Sequence, residues 1–339
     1  MLKFNAENER LKRKYEHYLS EAKGQDEKSL DKVRAALIRF EESTSYKSFK
    51  KFHIDQARQF KAAMAKAKNA KGKPLSYSTI DATLRIVKGF FHWLAGQPGF
   101  KKVVSYPDVD YFNNNRKDAR VAHAQRAIPF PSTQAAFQAF QGMSEHTEAQ
   151  RRDKAIFALV MLTGARAGAV ASLRLKHVNL ADGYLFQDGS EVKTKASKTF
   201  KSFFLPMGQE YMDCFAAWVR HLYDAKLYSP EDALFPKPEQ RWLDGKFVYD
   251  TLSREPYANS SHLNALFRVA FQQVQQPEYT PHSIRKTLGK EMSDRELTLE
   301  EQKAWSQNLG HEHFNTTVSS YLPVSEYQQG ELIKKMKMA

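Results

Sequence analysis

The stretch YLFQDGSEVKTKASKTFKSFFLP, residues 184–206, breaks the rhythm of the chain around it. It alternates apolar with polar residues and carries turn formers in between, which predicts a small antiparallel sheet. On either side the spacing is helical. Upstream lie STQAAFQAFQGM (132–143) and RRDKAIFALVMLTGAR (151–166); downstream lie GQEYMDCFAAWVRHLYD (208–224) and HLNALFRVAFQQV (262–274), after which helices are expected to continue. The fold class expected is therefore mainly α with a small antiparallel β-sheet in the second half of the chain.

The first hundred residues read as helices. Leu30, Val33, Leu37 and Phe40 recur at three- and four-residue steps and share one face. A second pattern opens at Ile54-Asp55 and runs through Phe60 and Met64, with Asp55 as the expected N-cap. The clearest stripe is Ile80, Leu84, Val87, Phe91 and Leu94, preceded by Ser78 and Asp81 in capping-box style and stopped by AGQPGF. Beyond it the periodicity fades among prolines, an asparagine run and scattered basic residues. The expected organisation is a helical domain over 1–110, a linker over 111–130, a second domain over 131–325 and a short amphipathic tail helix over 326–339.

A chain of 339 residues is natural for two domains, and 42% hydrophobic residues suffice for ordinary cores. No stretch approaches the roughly 20 apolar residues of a membrane span. The start, MLKFNAENERLKRKYEHYL, has no apolar core of the kind a secretory leader needs. Cys214 is the single cysteine, so an internal disulfide and a multi-cysteine zinc site are excluded, and a reducing cytoplasm is expected. The formal net charge of +14 points to a polyanionic partner, nucleic acid first.

Four segments gather the groups that could do chemistry. In LTGARAGAVASLRL, Gly164 ends one helix and Arg166 opens the next, where its planar fork can meet a phosphate. In YTPHSIRKTLGKEM, Thr280 suits an N-cap and Pro281 the first helical position. His282 and Arg285 then share a face, and cations at a helix N-terminus ask for an anion. Lys193, Lys195, Lys198 and Lys201 surround the turn of the sheet. In LGHEHFNTTVSSYLP (309–323), Gly310 ends a helix, His311 follows, and Asn315 or Thr316 can cap a new helix carrying Tyr321. Taken together these residues form a positive site with one nucleophile, no carboxylate cluster for Mg²⁺ and no glycine-rich phosphate loop. No cofactor or metal is implied. The set suits phosphoryl transfer at a diester. The arginines clamp the non-bridging oxygens, tyrosine attacks, and lysine or histidine protonates the leaving oxygen.

In this order, Arg, Lys, His-x-x-Arg, Leu-Gly-His, Tyr, the segments TGARAGAVASLRL, SKTFKSFFLP, HSIRKT and LGHEHFNTTVSSY resemble the tyrosine recombinases, or phage-type integrases. The resemblance covers about residues 30 to 325. It implies a two-domain C-shaped clamp on double-stranded DNA, with 131–325 as the catalytic domain and the helical region as the core-binding domain. It implies a site-specific recombinase of a mobile genetic element, acting as a tetramer in the cytoplasm of a prokaryotic host, with accessory DNA-bending proteins as further partners. By position, Arg166 and Arg285 would clamp the phosphate, Lys198 would be the general acid, His282 would assist proton transfer, and His311 would bind the phosphate. Tyr321 would form the 3′-phosphotyrosyl bond. Lys195 stands as the alternative to Lys198 and Tyr327 to Tyr321; His313 has no assigned role. Two positions depart from the family's pattern: Ala169 and His177 stand where acidic residues are usual. The rival readings are a type IB topoisomerase-like enzyme and a non-catalytic DNA-binding protein that keeps the fold.

Overall fold

A computed structural model describes residues 4–124, 129–243 and 245–311. The chain divides into two compact units, Met1–Ala127 and Ile128–Ala339. In the first, α1 (Ala6–His17) runs into a wider turn at Tyr18–Ala22. It is followed by α2 (Glu27–Ser43), α3 (Ile54–Lys66), α4 (Tyr77–Ala95), α5 (Tyr106–Val109) and α6 (Arg116–His123). The spacing read for α2 holds: Leu30, Val33, Leu37 and Phe40 are all buried, and Asp26 caps the helix by accepting from the Ser29 N–H at 2.8 Å.

Two caps differ from expectation. α3 is capped by His53, whose Nδ1 accepts from the Asp55 N–H at 3.3 Å while the Gln56 side chain accepts from the His53 N–H at 3.2 Å. Asp55 sits inside the first turn, where its charge suits the helix dipole. α4 starts two residues earlier than Ser78 suggested. Ser76 accepts from the Thr79 N–H at 3.1 Å, Ser78 instead donates to the Ala122 carbonyl of α6 at 2.8 Å, and Asp81 pairs with Arg85 at 3.0 Å. Within the stretch 111–130, α6 is helical and packs on α4.

Aromatic rings fill this unit. Phe91 lies 5.0 Å from Phe40, 4.4 Å from Phe52 and 5.2 Å from Phe112 between ring centroids. Such contacts add to plain burial by about 0.5–1.5 kcal/mol each. A buried ion pair, Lys12 to Glu41 at 2.6 Å with Asn8 donating to the same carboxylate at 2.9 Å, fixes how α1 lies on α2.

The second unit is built around α8 (Glu148–Thr163), which follows α7 (Thr133–Gln141). From Ala155 to Leu162 every side chain of α8 is fully buried, so it is a core helix rather than an amphipathic surface one. A one-turn helix, α9 (Ala167–Val170), leads to the predicted sheet: β1 (Val178–Asn179), β2 (Tyr184–Gln187) and β3 (Phe200–Phe203). The three strands are antiparallel in that order, with Leu185 opposite Ser202 and Phe186 opposite Lys201. Then come α10 (Gln209–Arg220), β4 (Pro236–Leu243), β5 (Lys246–Pro256), α11 (Ser261–Gln273), α12 (Pro281–Asp294) and α13 (Leu299–Asn308). The β4–β5 hairpin lies between the two expected helices, in a stretch for which no element was read. Its signal was present in the sequence as Asp244-Gly245, a strong hairpin dipeptide, between Trp242-Leu243 and Lys246-Phe247-Val248. No helix among the described residues is long and apolar enough to cross a membrane.

Candidate active site

The site begins where α8 stops. Gly164 adopts φ +61°, and a Cβ there would lie 2.4 Å from Leu309 Cδ2 and 3.0 Å from Leu288 Cδ1. Both conformation and space therefore demand glycine. The turn places Arg166 at the N-cap of α9, partly exposed, and presents the Gly164 carbonyl to α12.

α12 follows the sequence reading closely. Thr280 is its N-cap and Pro281 its first residue. Helical spacing sends Ile284, Leu288 and Met292 into the core and carries Arg285 in beside them, 2% exposed. The Arg285 guanidinium donates to the Gly164 carbonyl, to the Leu309 carbonyl at 2.7 Å and to His311 Nε2 at 3.1 Å. One planar fork thus joins the ends of α8, α12 and α13. Because an arginine only donates, His311 Nε2 is the acceptor and the ring proton sits on Nδ1.

His311 follows α13 through Gly310, which has φ +73°; a Cβ there would lie 2.6 Å from Phe200 Cζ. Phe200 of β3 therefore rests directly on the turn that delivers His311. Asn308 strengthens this junction. Its side-chain oxygen accepts from the Phe203 N–H at 2.5 Å, its amide donates to the Phe203 carbonyl at 2.9 Å, and Ser202 Oγ donates to the Asn308 carbonyl at 2.8 Å. In effect the end of α13 extends the sheet by one residue. Asn308 was not among the residues singled out from sequence, where nothing but its polarity at a helix end marks it.

The four lysines separate. Lys193 Nζ donates to the Ala258 carbonyl at 2.8 Å, and Lys201 lies over the Tyr184 ring at 4.1 Å. Lys195 begins a tight turn, Lys195–Ser197, and Lys198 leaves it, its Nζ 6.0 Å from the Phe200 ring centroid. His311 is pushed down to about 4 by burial, then by the nearby positive charges of Arg285, Arg166, Lys198 and Lys195. His282, exposed in the first turn of α12, is also lowered, by partial desolvation and then by Arg285, Lys286 and Arg166. Arg166, Lys198, His282, Arg285 and His311 are thus gathered at one place from four segments. Lys195 shares that place with Lys198. Tyr321, Tyr327, His313, Asn315, Thr316 and the tail 326–339 lie outside the described residues.

The two departures from the acidic pattern differ in kind. Ala169 is buried in the core of the unit. His177 is buried too, but polar: its Nδ1 accepts from the Arg174 N–H at 2.9 Å, which leaves the proton on Nε2, 3.0 Å from Glu191. Glu191, from the loop after β2, also accepts from Lys176 at 2.8 Å, and that lysine first and His177 second hold its carboxyl below the usual range.

A stability effect follows from His311. Its folded value near 4 lies below the ordinary 6.5, so as pH falls the unfolded chain takes up a proton before the folded one does. The contribution is complete above pH 6.5 and is lost as pH falls through 4, at most about 3 kcal/mol. In urea titrations, the wild type is expected to lose this much more than His311→Gln between pH 7 and pH 4. Parallel losses in the two proteins would contradict the assignment.

A model of the phage integrase family matches residues 133–327. Among solved structures, the Tn1549 transposon integrase in complex with transposon right end DNA aligns over 96% of this chain and 98% of its own, at 14% identity and TM-score 0.64. A lambda integrase dimer bound to a COC′ core site aligns over 98% of this chain and 99% of its own, at 13% identity and TM-score 0.59. At these identities the likeness establishes the fold. No curated protein matches the chain.

Proposed function

The chain belongs to the phage integrase family, and from that premise we propose that it cleaves and rejoins double-stranded DNA as a site-specific recombinase of a mobile genetic element. The observation that carries this reading is the cluster centred on Arg285: two arginines, a lysine and two histidines of lowered proton affinity at one place. Like charges crowded in this way are stabilised by an anion, and a phosphodiester supplies one. The net charge of +14 draws the longer polyanion to the protein.

The step balances with side chains alone. The Tyr321 oxygen bonds to phosphorus as the bond from phosphorus to the 5′-oxygen breaks. The phenolic proton passes to His282, whose lowered affinity leaves it neutral at pH 7. Lys198 gives a proton to the departing 5′-oxygen. Arg166 and Arg285 stabilise the extra negative charge of the pentavalent state, and neutral His311 adds a hydrogen-bond donor. Reversal with a different 5′-hydroxyl rejoins the strand and needs no ATP, because the phosphotyrosine keeps the energy of the diester. Four protomers on two sites, with host DNA-bending proteins, would carry out a full exchange in a prokaryotic cytoplasm.

The test is a covalent trap. The full chain is mixed in EDTA with duplexes of randomised sequence that each carry a nick, so that the short cleaved fragment is lost and the adduct persists. Protein joined to 3′ ends, within a shared sequence, is the expected result. Binding without adduct, or an adduct formed only with Mg²⁺, overturns the reading. The selected sequence placed on two plasmids then separates the rivals: site-dependent exchange marks a recombinase, whereas supercoil relaxation without exchange marks a topoisomerase.

A further inference from the structure

The loop from Asp188 to Thr199 carries Lys198 and is built with unusual closeness. A Cβ on Gly189 would lie 1.8 Å from the Ser197 carbonyl oxygen and 3.0 Å from the Lys198 carbonyl carbon. No side chain fits there unless the backbone before Lys198 moves. Opposite Gly189, Ala196 and Ser197 both take left-handed conformations, φ +57° and +50°, an unfavourable pair for residues with a Cβ. Such a turn persists only where its surroundings hold it.

The holding contacts are specific. The Gly189 N–H donates to Thr199 Oγ1 at 2.9 Å, closing the loop across its mouth. Val192 is buried in the core of the unit. The Lys193 N–H donates to Ser172 Oγ at 2.9 Å, and a Cβ on Gly168 would lie 3.5 Å from the Lys193 carbonyl. Glu191 meets buried His177 at 3.0 Å. The base of the loop is therefore fastened to the segment that begins with Arg166, and the remaining freedom is that of the turn itself.

We propose that Gly189 is a positioning residue for Lys198: its lack of a side chain lets the strained turn close and sets the lysine ammonium toward the phosphate site before DNA arrives. This rests on Lys198 being the general acid. The glycine acts only through that lysine, so its removal weakens proton delivery and leaves phosphate binding intact. A displacement of about 1 Å at a reacting group is enough for a roughly 100-fold loss of rate.

The experiment uses the nicked duplex recovered by the covalent trap, made in two forms. One has the natural oxygen at the scissile 5′ position. The other has sulfur there, which leaves as a thiolate and needs no proton. Gly189→Ala is expected to slow adduct formation about 100-fold on the oxygen duplex. On the sulfur duplex it should return to within about tenfold of wild type, with DNA affinity unchanged, and Lys198→Ala should behave alike. If Gly189→Ala fails to fold, Thr199→Val, which loses the bond across the loop mouth at an exposed position, is held to the same criterion. Failure of sulfur to rescue Lys198→Ala, or rescue of Lys195→Ala in its place, overturns the role of Lys198 and this proposal with it. Rescue of Lys198→Ala while the loop variant is fully active on oxygen, or stays slow on sulfur, overturns the positioning role alone.

Discussion

Tyr321→Phe is expected to bind the selected duplex as the wild type does and to form no covalent adduct. The substitution removes one oxygen atom and conserves the ring, so packing and charge are nearly unchanged. In the proposed reaction that oxygen is the atom that bonds to phosphorus, and no neighbouring group can replace a bond that is not made. Adduct formation should fall by about 10⁴-fold or more, a loss typical of removing a nucleophile. Binding is carried by basic residues along the DNA backbone and should move by less than about threefold. Anisotropy with labelled duplex and denaturing gels of the same mixtures give the two readouts. An adduct that persists in Tyr321→Phe and disappears in Tyr327→Phe would move the nucleophile six residues along. Loss of binding together with the adduct would make Tyr321 a structural residue instead.

What was legible in the sequence was local. The stripe of α2 appeared at helical spacing because one face of a helix must be dry. The order Thr280, Pro281, His282, Arg285 placed a helix start correctly because cap, proline and dipole each act within one turn. Gly164 and Gly310 read as stops and proved to be left-handed stops, although the reason they cannot be anything else lies far away, in Leu309 and Phe200. The caps at His53 and Ser76 were missed because several polar residues compete within three positions, and only the chain's final path decides among them. Long-range partners were not legible. Nothing near Asn308 in sequence announces a pair of hydrogen bonds to Phe203, and nothing near His177 announces Glu191. The choice between Lys195 and Lys198 likewise turns on a tight loop packed closely against Gly189, and both lysines lie near enough to His311 to lower its proton affinity.

Arg285 holds the fold together and, in the proposed reaction, also clamps the phosphate, so its loss should be felt in both. Arg285→Ala leaves the Gly164 and Leu309 carbonyls without their guanidinium donor in a buried place and opens a cavity among Leu288, Leu309 and His311. Breaking a buried charged network by removing one member costs about 3–5 kcal/mol. For a unit of this size that is a fall in Tm of roughly 6–20 °C. Arg285→Lys restores the charge but not the fork. One ammonium cannot span two carbonyls and an imidazole nitrogen on separate segments, so the lysine variant should recover only part of the stability. On DNA, both variants should form adduct more slowly, the alanine variant by about 10³-fold or more, because in the proposed reaction Arg285 is a donor to the pentavalent phosphate. His311 supplies an internal check. Burial is the first cause of its lowered value and Arg285 the second, so in Arg285→Ala its pKa should rise from about 4 without reaching the ordinary 6.5. Proton NMR of the ring measures that directly. Stability within 1 kcal/mol of wild type, an unmoved His311 and an adduct rate within tenfold would together remove Arg285 from the centre of the site.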